Sequence, residues 1–195
     1  VKHRTVILSA GILATSLILA GCSAQGMEMG SGSTGSSSSA SAAAAHNDSD
    51  VAFATQMIPH HQQAVEMADI LLAKTGVDPK VIDLATQIKA AQDPEIVTMT
   101  GWLKSWGQPS PAAMDGMAMN GLMSQADMDA LKNASGPDSS KLFLQQMTQH
   151  HQGAIDMANK ELSAGKDPAA LALAKKIVAA QTAEIATMKD LLASM

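Results

Sequence analysis

The segment F-A-T-Q-M-I-P-H-H-Q-Q-A-V-E-M-A, Phe53 to Ala68, returns as F-L-Q-Q-M-T-Q-H-H-Q-G-A-I-D-M-A, Phe143 to Ala158. Both copies carry Met-x-x-His-His-Gln-x-Ala-x-x-Met-Ala. Imidazole and thioether together are ligands for copper in either oxidation state, and thioether favours the softer Cu(I). A lone buried histidine is usually a satisfied core residue. Four histidines at matching places, each beside a methionine, point to metal ligation.

On a helix at about 100° per residue, with Met57 at zero, His61 falls near +40° and His60 near −60°. Ala64 and Ala68 fall within about 20° of Met57 and leave room beside the rings. Met147, His150, His151, Ala154 and Ala158 repeat the arrangement. This broad face is also the apolar one, so it should point inward. The two rings of a pair diverge, so one can serve its own hairpin while the other reaches across. Pro59 is a candidate kink. Glu66 and Asp156 fall on the far side and are expected in solvent.

A second repeated segment supplies carboxylates. A-A-Q-D-P-E-I-V-T-M, Ala90 to Met99, matches A-A-Q-T-A-E-I-A-T-M, Ala179 to Met188. On its own wheel Glu95 shares the apolar stripe with Ile88, Gln92, Met99 and Trp102. Glu184 shares one with Ile177, Gln181, Met188 and Leu191. A buried carboxylate needs a cation or hydrogen-bond donors. Glu95 and Glu184 therefore either bind metal directly or accept the second ring N–H of a ligating histidine. Met67, Met99, Met157 and Met188 suit core packing and ligation equally.

The chain holds 14 methionines against two Trp, two Phe and no Tyr. Met114, Met117, Met119 and Met123 lie together in M-D-G-M-A-M-N-G-L-M, and Met27 and Met29 in M-E-M. Met114, Met117, Met119 and Met123 read either as a secondary metal-catching loop or as a cap packed over the helices.

These residues need helices to position them. Each repeat of about fifty residues reads as two helices, a duplicated αα-hairpin. The first helices are expected from Asp50 to Lys74 and from Asp138 to Ala164. The second run from Pro79 to Trp106 and from Pro168 to the C-terminus. Gly76 and Gly165 are placed as helix stops, and Asp78-Pro79 and Asp167-Pro168 as starts. No strand pattern is present. The expected fold is all-α, a four-helix bundle built from two αα-hairpins, its connection running along the bundle as in ferritin-like folds or across one end. It spans 48–195, with repeat 1 over 48–106, a connection over 107–136 and repeat 2 over 137–195. The connection carries one short helix start at Ser124.

Residues 1–21 read as a lipoprotein signal peptide: Lys2, His3 and Arg4, then an apolar run, then Leu19-Ala20-Gly21-Cys22. Cys22, the single cysteine, is the expected lipid anchor to a membrane surface. Residues 22–47 are Gly/Ser/Ala-rich and read as a disordered tether. The expected setting is the bacterial cell envelope, outside the cytoplasm. The net charge of −5 argues against nucleic acid.

The doubled F-x-x-x-M-x-x-H-H-x-x-A-[IV]-x-M-A motif, with G-x-M-x-x-x-D-M between its copies, resembles the domain of unknown function 305 family. The resemblance covers about 48–195 and departs from the pattern at Thr148-Gln149, where an apolar residue is usual. It implies a ferritin-like bundle and, for members of the CopM type, periplasmic copper binding. It also implies Met57, His60, His61, Met67 and their copies as site residues. The leading reading is a copper-binding protein, for silver also, that chelates the ion or passes it to a protein partner. It has no enzymatic role on this reading. The alternatives are a di-iron or di-manganese ferritin-like oxidase, which would use Glu-x-x-His pairs this chain lacks, and a helical bundle without metal.

Overall fold

The computed structural model describes residues 46–111 and 121–195, and these residues form helices joined by turns, with no strand among them. Five helices follow in order: α1 (Asp48–Leu72), α2 (Pro79–Ser105), α3 (Gln125–Asn133), α4 (Gly136–Ala164) and α5 (Pro168–Ala193). Cys22, Met27, Met29, Met114, Met117 and Met119 lie outside the described residues, as do the expected signal peptide and nearly all of the tether.

Local chemistry sets the helix boundaries. Asn47 caps α1: its side chain accepts from the Ser49 and Asp50 amides, and Asp50 reaches back to the Asn47 amide. This reciprocal box satisfies donors that a helix start leaves unpaired. Asp78 and Asp167 cap α2 and α5, each with proline in the first turn. Ser124 opens α3 with a capping box to Asp127. The long helices begin and end within two residues of the expected bounds. Pro59 and Pro94 sit inside continuous helices.

The two expected helix stops differ in kind. Gly76 has φ of 75°, the left-handed turn that a glycine accommodates at low cost. Gly165 ends α4 with φ of −68° and extended backbone. It is glycine for space: a Cβ there would overlap the Glu161 carboxyl group.

α1 pairs with α2, α4 pairs with α5, and α1 packs on α4 at the centre. The central pair is antiparallel. At one end the Asn47 amide group donates to the Ala164 carbonyl, and at the other Lys74 donates to the Lys132 and Ala134 carbonyls. α3 covers α1 and α4, while α2 and α5 touch each other only lightly.

The apolar core divides in two. Met57, Met99 and Met157 belong to one cluster with Phe53, Leu103 and Ile177. Met67, Met147 and Met188 belong to the other with Phe143, Leu144 and Leu131. Each trio mixes both repeats and contains the repeat-equivalents of the other. That exchange is what a twofold-like relation between antiparallel hairpins produces.

Candidate metal centre

His60, His61 and His151 are fully buried and His150 is 1% exposed. The two rings of each pair separate as their 100° offset requires. His60 and His150 meet across the α1–α4 interface with ring centroids 3.7 Å apart. His61 turns to α2 and its Nε2 lies 2.9 Å from Glu95 Oε2. His151 turns to α5 and its Nε2 lies 2.7 Å from Glu184 Oε2. One ring of each pair thus faces a carboxylate, and the other faces its own repeat copy.

Electrostatics fix the roles within the first of these pairs. Burial pushes the Glu95 carboxyl up, but hydrogen bonding and charge from His61, with a lesser share from Lys176, outweigh it and hold Glu95 below its ordinary value. Glu95 is therefore an ionised acceptor, and His61 donates Nε2–H. Burial lowers His61, and the Glu95 contact offsets only part of this. The ring stays neutral, with its lone pair on Nδ1. Both His61 Nδ1 and His151 Nδ1 are buried without a hydrogen-bond partner. An unused acceptor in the core costs about 1–3 kcal/mol. A carboxylate holding the far nitrogen is the arrangement that orients a histidine to bind metal through the near one. Burial also drives His150 well below its ordinary value, with His60, His151 and His61 adding to the effect.

The two halves are not identical. Glu95 is buried and receives Lys176 from α5, Nζ to Oε1 at 3.2 Å. The Glu184 side chain is 21% exposed, so it is less enclosed than its place in the stripe suggested. The repeat equivalent of Lys176 is Gln87, which brings no charge to that side. Thr148, where repeat 1 has Ile58, donates to the Leu144 carbonyl and lies 3.8 Å from Met188 Sδ.

The six candidate methionines of the long helices, Met57, Met67, Met99, Met147, Met157 and Met188, are all buried. Met123 is buried as well, packed in the cluster of Met67 and Met147. Glu66 is exposed and faces Lys132 at 3.8 Å. Asp156, partly buried, accepts from Gln152 on the same helix. Among the described residues no group of three or more His, Cys, Asp or Glu side chains converges as a metal cluster. The donors on offer are imidazoles and thioethers.

Sequence reasoning gave no role to several residues. Gln92 and Gln181, repeat copies one helical turn before the glutamates, are buried with Oε1 unpartnered. Glu161 is 1% exposed at the position where repeat 1 has Leu71. It faces Asp50, whose carboxylate accepts from the Lys166 and Asp167 amides. A charged residue replacing a core leucine between repeats was the available signal.

An antiparallel helical bundle with paired imidazoles at its centre, two of them carboxylate-anchored, in a core rich in methionine, is the class that the fold and site define. The chain belongs to the DUF305 family, domain of unknown function, whose model matches residues 50–192. It is similar to a DUF305 protein of Streptomyces coelicolor assigned as secreted, at 36% identity and TM-score 0.70, over 75% of this chain and 93% of that one. A DUF305 fragment from Deinococcus radiodurans matches at 30% identity and TM-score 0.69, over 76% and 98%. CopM in its Cu(II)-bound form matches at 34% identity and TM-score 0.65, over 74% and 96%. CopM structures with Cu(I) and with silver also match. No curated protein matches the chain. Among the described residues no helix is long and apolar enough to cross a membrane.

Proposed function

We propose that this protein binds copper outside the cytoplasm through the buried imidazoles and the methionines around them, with no enzymatic turnover. The observation that carries this reading is the pair of carboxylate-anchored rings, His61 and His151, whose Nδ1 atoms lie buried and unpartnered. Copper and silver in the similar CopM support the choice of ion. Neutral imidazole is the form that ligates, and burial favours it at His61 and His150. Soft thioether donors favour Cu(I) and Ag(I) over Zn(II) and Fe(II).

Glu95 and Glu184 act as orienting acceptors in this scheme, and the rings as ligands. Six of the core methionines complete the donor set: Met57, Met99 and Met157 from one cluster, Met67, Met147 and Met188 from the other. The oxidase alternative would need carboxylates gathered around two metals. Here each glutamate is engaged by a different histidine on a different helix pair. The L-A-G-C segment supports attachment to a membrane surface through lipidated Cys22, from which the ion would be buffered or passed to a protein partner.

Anaerobic titration of the mature chain with Cu(I) and Ag(I), set against Zn(II) and Fe(II), tests the function. The expected result is tight Cu(I) and Ag(I) binding that weakens in a His61→Ala/His151→Ala variant. Iron binding with oxygen consumption would favour the oxidase, and no binding of any ion the bare bundle.

A further inference from the structure

The two repeats break their symmetry just after the histidines. Repeat 1 reads H-H-Q-Q and repeat 2 reads H-H-Q-G, so Gln63 stands where the copy has Gly153. Both positions hold the same piece of chain. Gln63 Nε2 donates to the Met123 carbonyl at 2.9 Å, and the Met123 amide donates to Gln63 Oε1 at 2.8 Å. Gly121 lies directly on α4: a Cβ on it would stand 2.7 Å from Gly153 Cα and 3.1 Å from the Gln149 carbonyl oxygen. Its φ of 86° is itself a glycine conformation. The strand of chain from Gly121 to Met123 therefore crosses from α4 to α1 as a strap.

The strap lies on one particular side of the histidines. On the wheel used above, Gln63 falls about 60° from His60, and Gly153 about 60° from His150, each turned away from the ring that faces a glutamate. His60 and His150 thus point toward the strap side. His61 and His151 point toward α2 and α5. All four rings are closed to solvent, so any ion reaching them needs a part of the wall to move. The other walls are helices, the short α3 among them. The strap is irregular chain, held here by one reciprocal amide pair, one glycine contact and the buried side chain of Met123. Segments with few buried contacts open at the lowest free energy.

We propose that the Gly121–Met123 strap is the access gate to the His60–His150 pair, with Gln63 as its latch and Gly121 on Gly153 as its seat. Gln63 and Gly121 are positioning residues: they control how fast the rings are reached, and neither ligates the ion. Met123 rides on the strap with its backbone locked to Gln63, so opening the latch also moves this methionine. The proposal extends the copper reading, but exposure of the rings can be measured without metal.

The experiment uses the full chain, Gln63→Ala and Gly121→Ala. In the metal-free protein, carbethoxylation of each histidine by diethyl pyrocarbonate is timed by mass spectrometry, with partly exposed His46 as the internal reference. Gln63→Ala is expected to speed modification of His60 and His150 by about ten- to thirtyfold, as loss of two modest hydrogen bonds implies. His61 and His151 should change far less. Gly121→Ala, which cannot seat, should do the same. With Ag(I), uptake and release to a competing chelator should both accelerate by a common factor at unchanged affinity. Unchanged rates at His60 and His150 in both variants would overturn the proposal. So would equal acceleration at all four rings with a lowered melting temperature, which marks general loosening. A wild-type chain that binds no Ag(I) would remove the copper reading, while the modification rates would still decide the strap.

Discussion

Replacing Glu161 with glutamine should abolish a contribution to stability that declines between pH 5 and 8. Glu161 is buried beside Asp50, and Ser49 Oγ lies 3.2 Å from its Oε2. Burial first, then the hydrogen bond and charge of Asp50, push its carboxyl from 4.5 up to about 7. The folded state therefore holds a proton that the unfolded chain has released across this window. The Glu161 contribution to stability falls as pH rises from about 4.5 to 7, because at this group the native state binds more protons there. Moving one carboxyl over this range corresponds to about 3 kcal/mol.

Asp50 works in the opposite sense and lower down. Burial pushes it up, but Glu161 and the amides of Asn47, Asp167 and Lys166 bring it below 3.8. Its contribution is present above 3.8 and disappears in stronger acid. The depressed His61 and His150 add a term that falls as pH drops below 6.5, and this term is common to both proteins. The comparison should therefore be the difference between wild type and Glu161→Gln in urea unfolding at half-unit steps. The variant, with an amide that still donates to Asp50, should gain on the wild type by about 2–3 kcal/mol between pH 5 and 8. Parallel curves across that range would refute the account of Glu161 as protonated in the folded state.

Further outcomes follow from the same geometry. Glu95→Gln and Glu184→Gln should each weaken Cu(I) affinity about 10- to 100-fold in chelator competition, since each exchanges the charged acceptor that orients a ring for a weaker neutral one. Met57→Leu and Met147→Leu should keep the fold within about 1.5 kcal/mol by denaturant unfolding and still lower Ag(I) affinity. Met57→Ala should cost about 2–5 kcal/mol whether or not metal is present. Lys176→Ala removes an ion pair whose lysine is 63% exposed, and it should change stability by less than about 1 kcal/mol.

Much of this arrangement was legible because the repeat carries its own alignment. Doubled caps at Asp78-Pro79 and Asp167-Pro168 placed the second helices, and the helical period placed four histidines inward. The 100° offset foretold that the two rings of a pair would part, with one free to reach across. It could not say which ring meets the glutamate, because that depends on the rotation of α1 against α4. The antiparallel packing of α1 on α4, which puts Met57 with Met157, is likewise a property of the assembled bundle. Differences between the repeats carried the rest: Glu161 for Leu71, Gly153 for Gln63, Lys176 for Gln87. A search for what the copies share passes over these, and each marks a place where the two halves do different work.

The central claim is that the paired imidazoles are ligands. The direct measurement is anaerobic Cu(I) competition titration of the wild type against a His60→Ala/His61→Ala/His150→Ala/His151→Ala variant shown by circular dichroism to remain helical. The account predicts tight binding in the first and at least a hundredfold loss in the second, about 2.7 kcal/mol or more. Undiminished binding in the helical variant would contradict it.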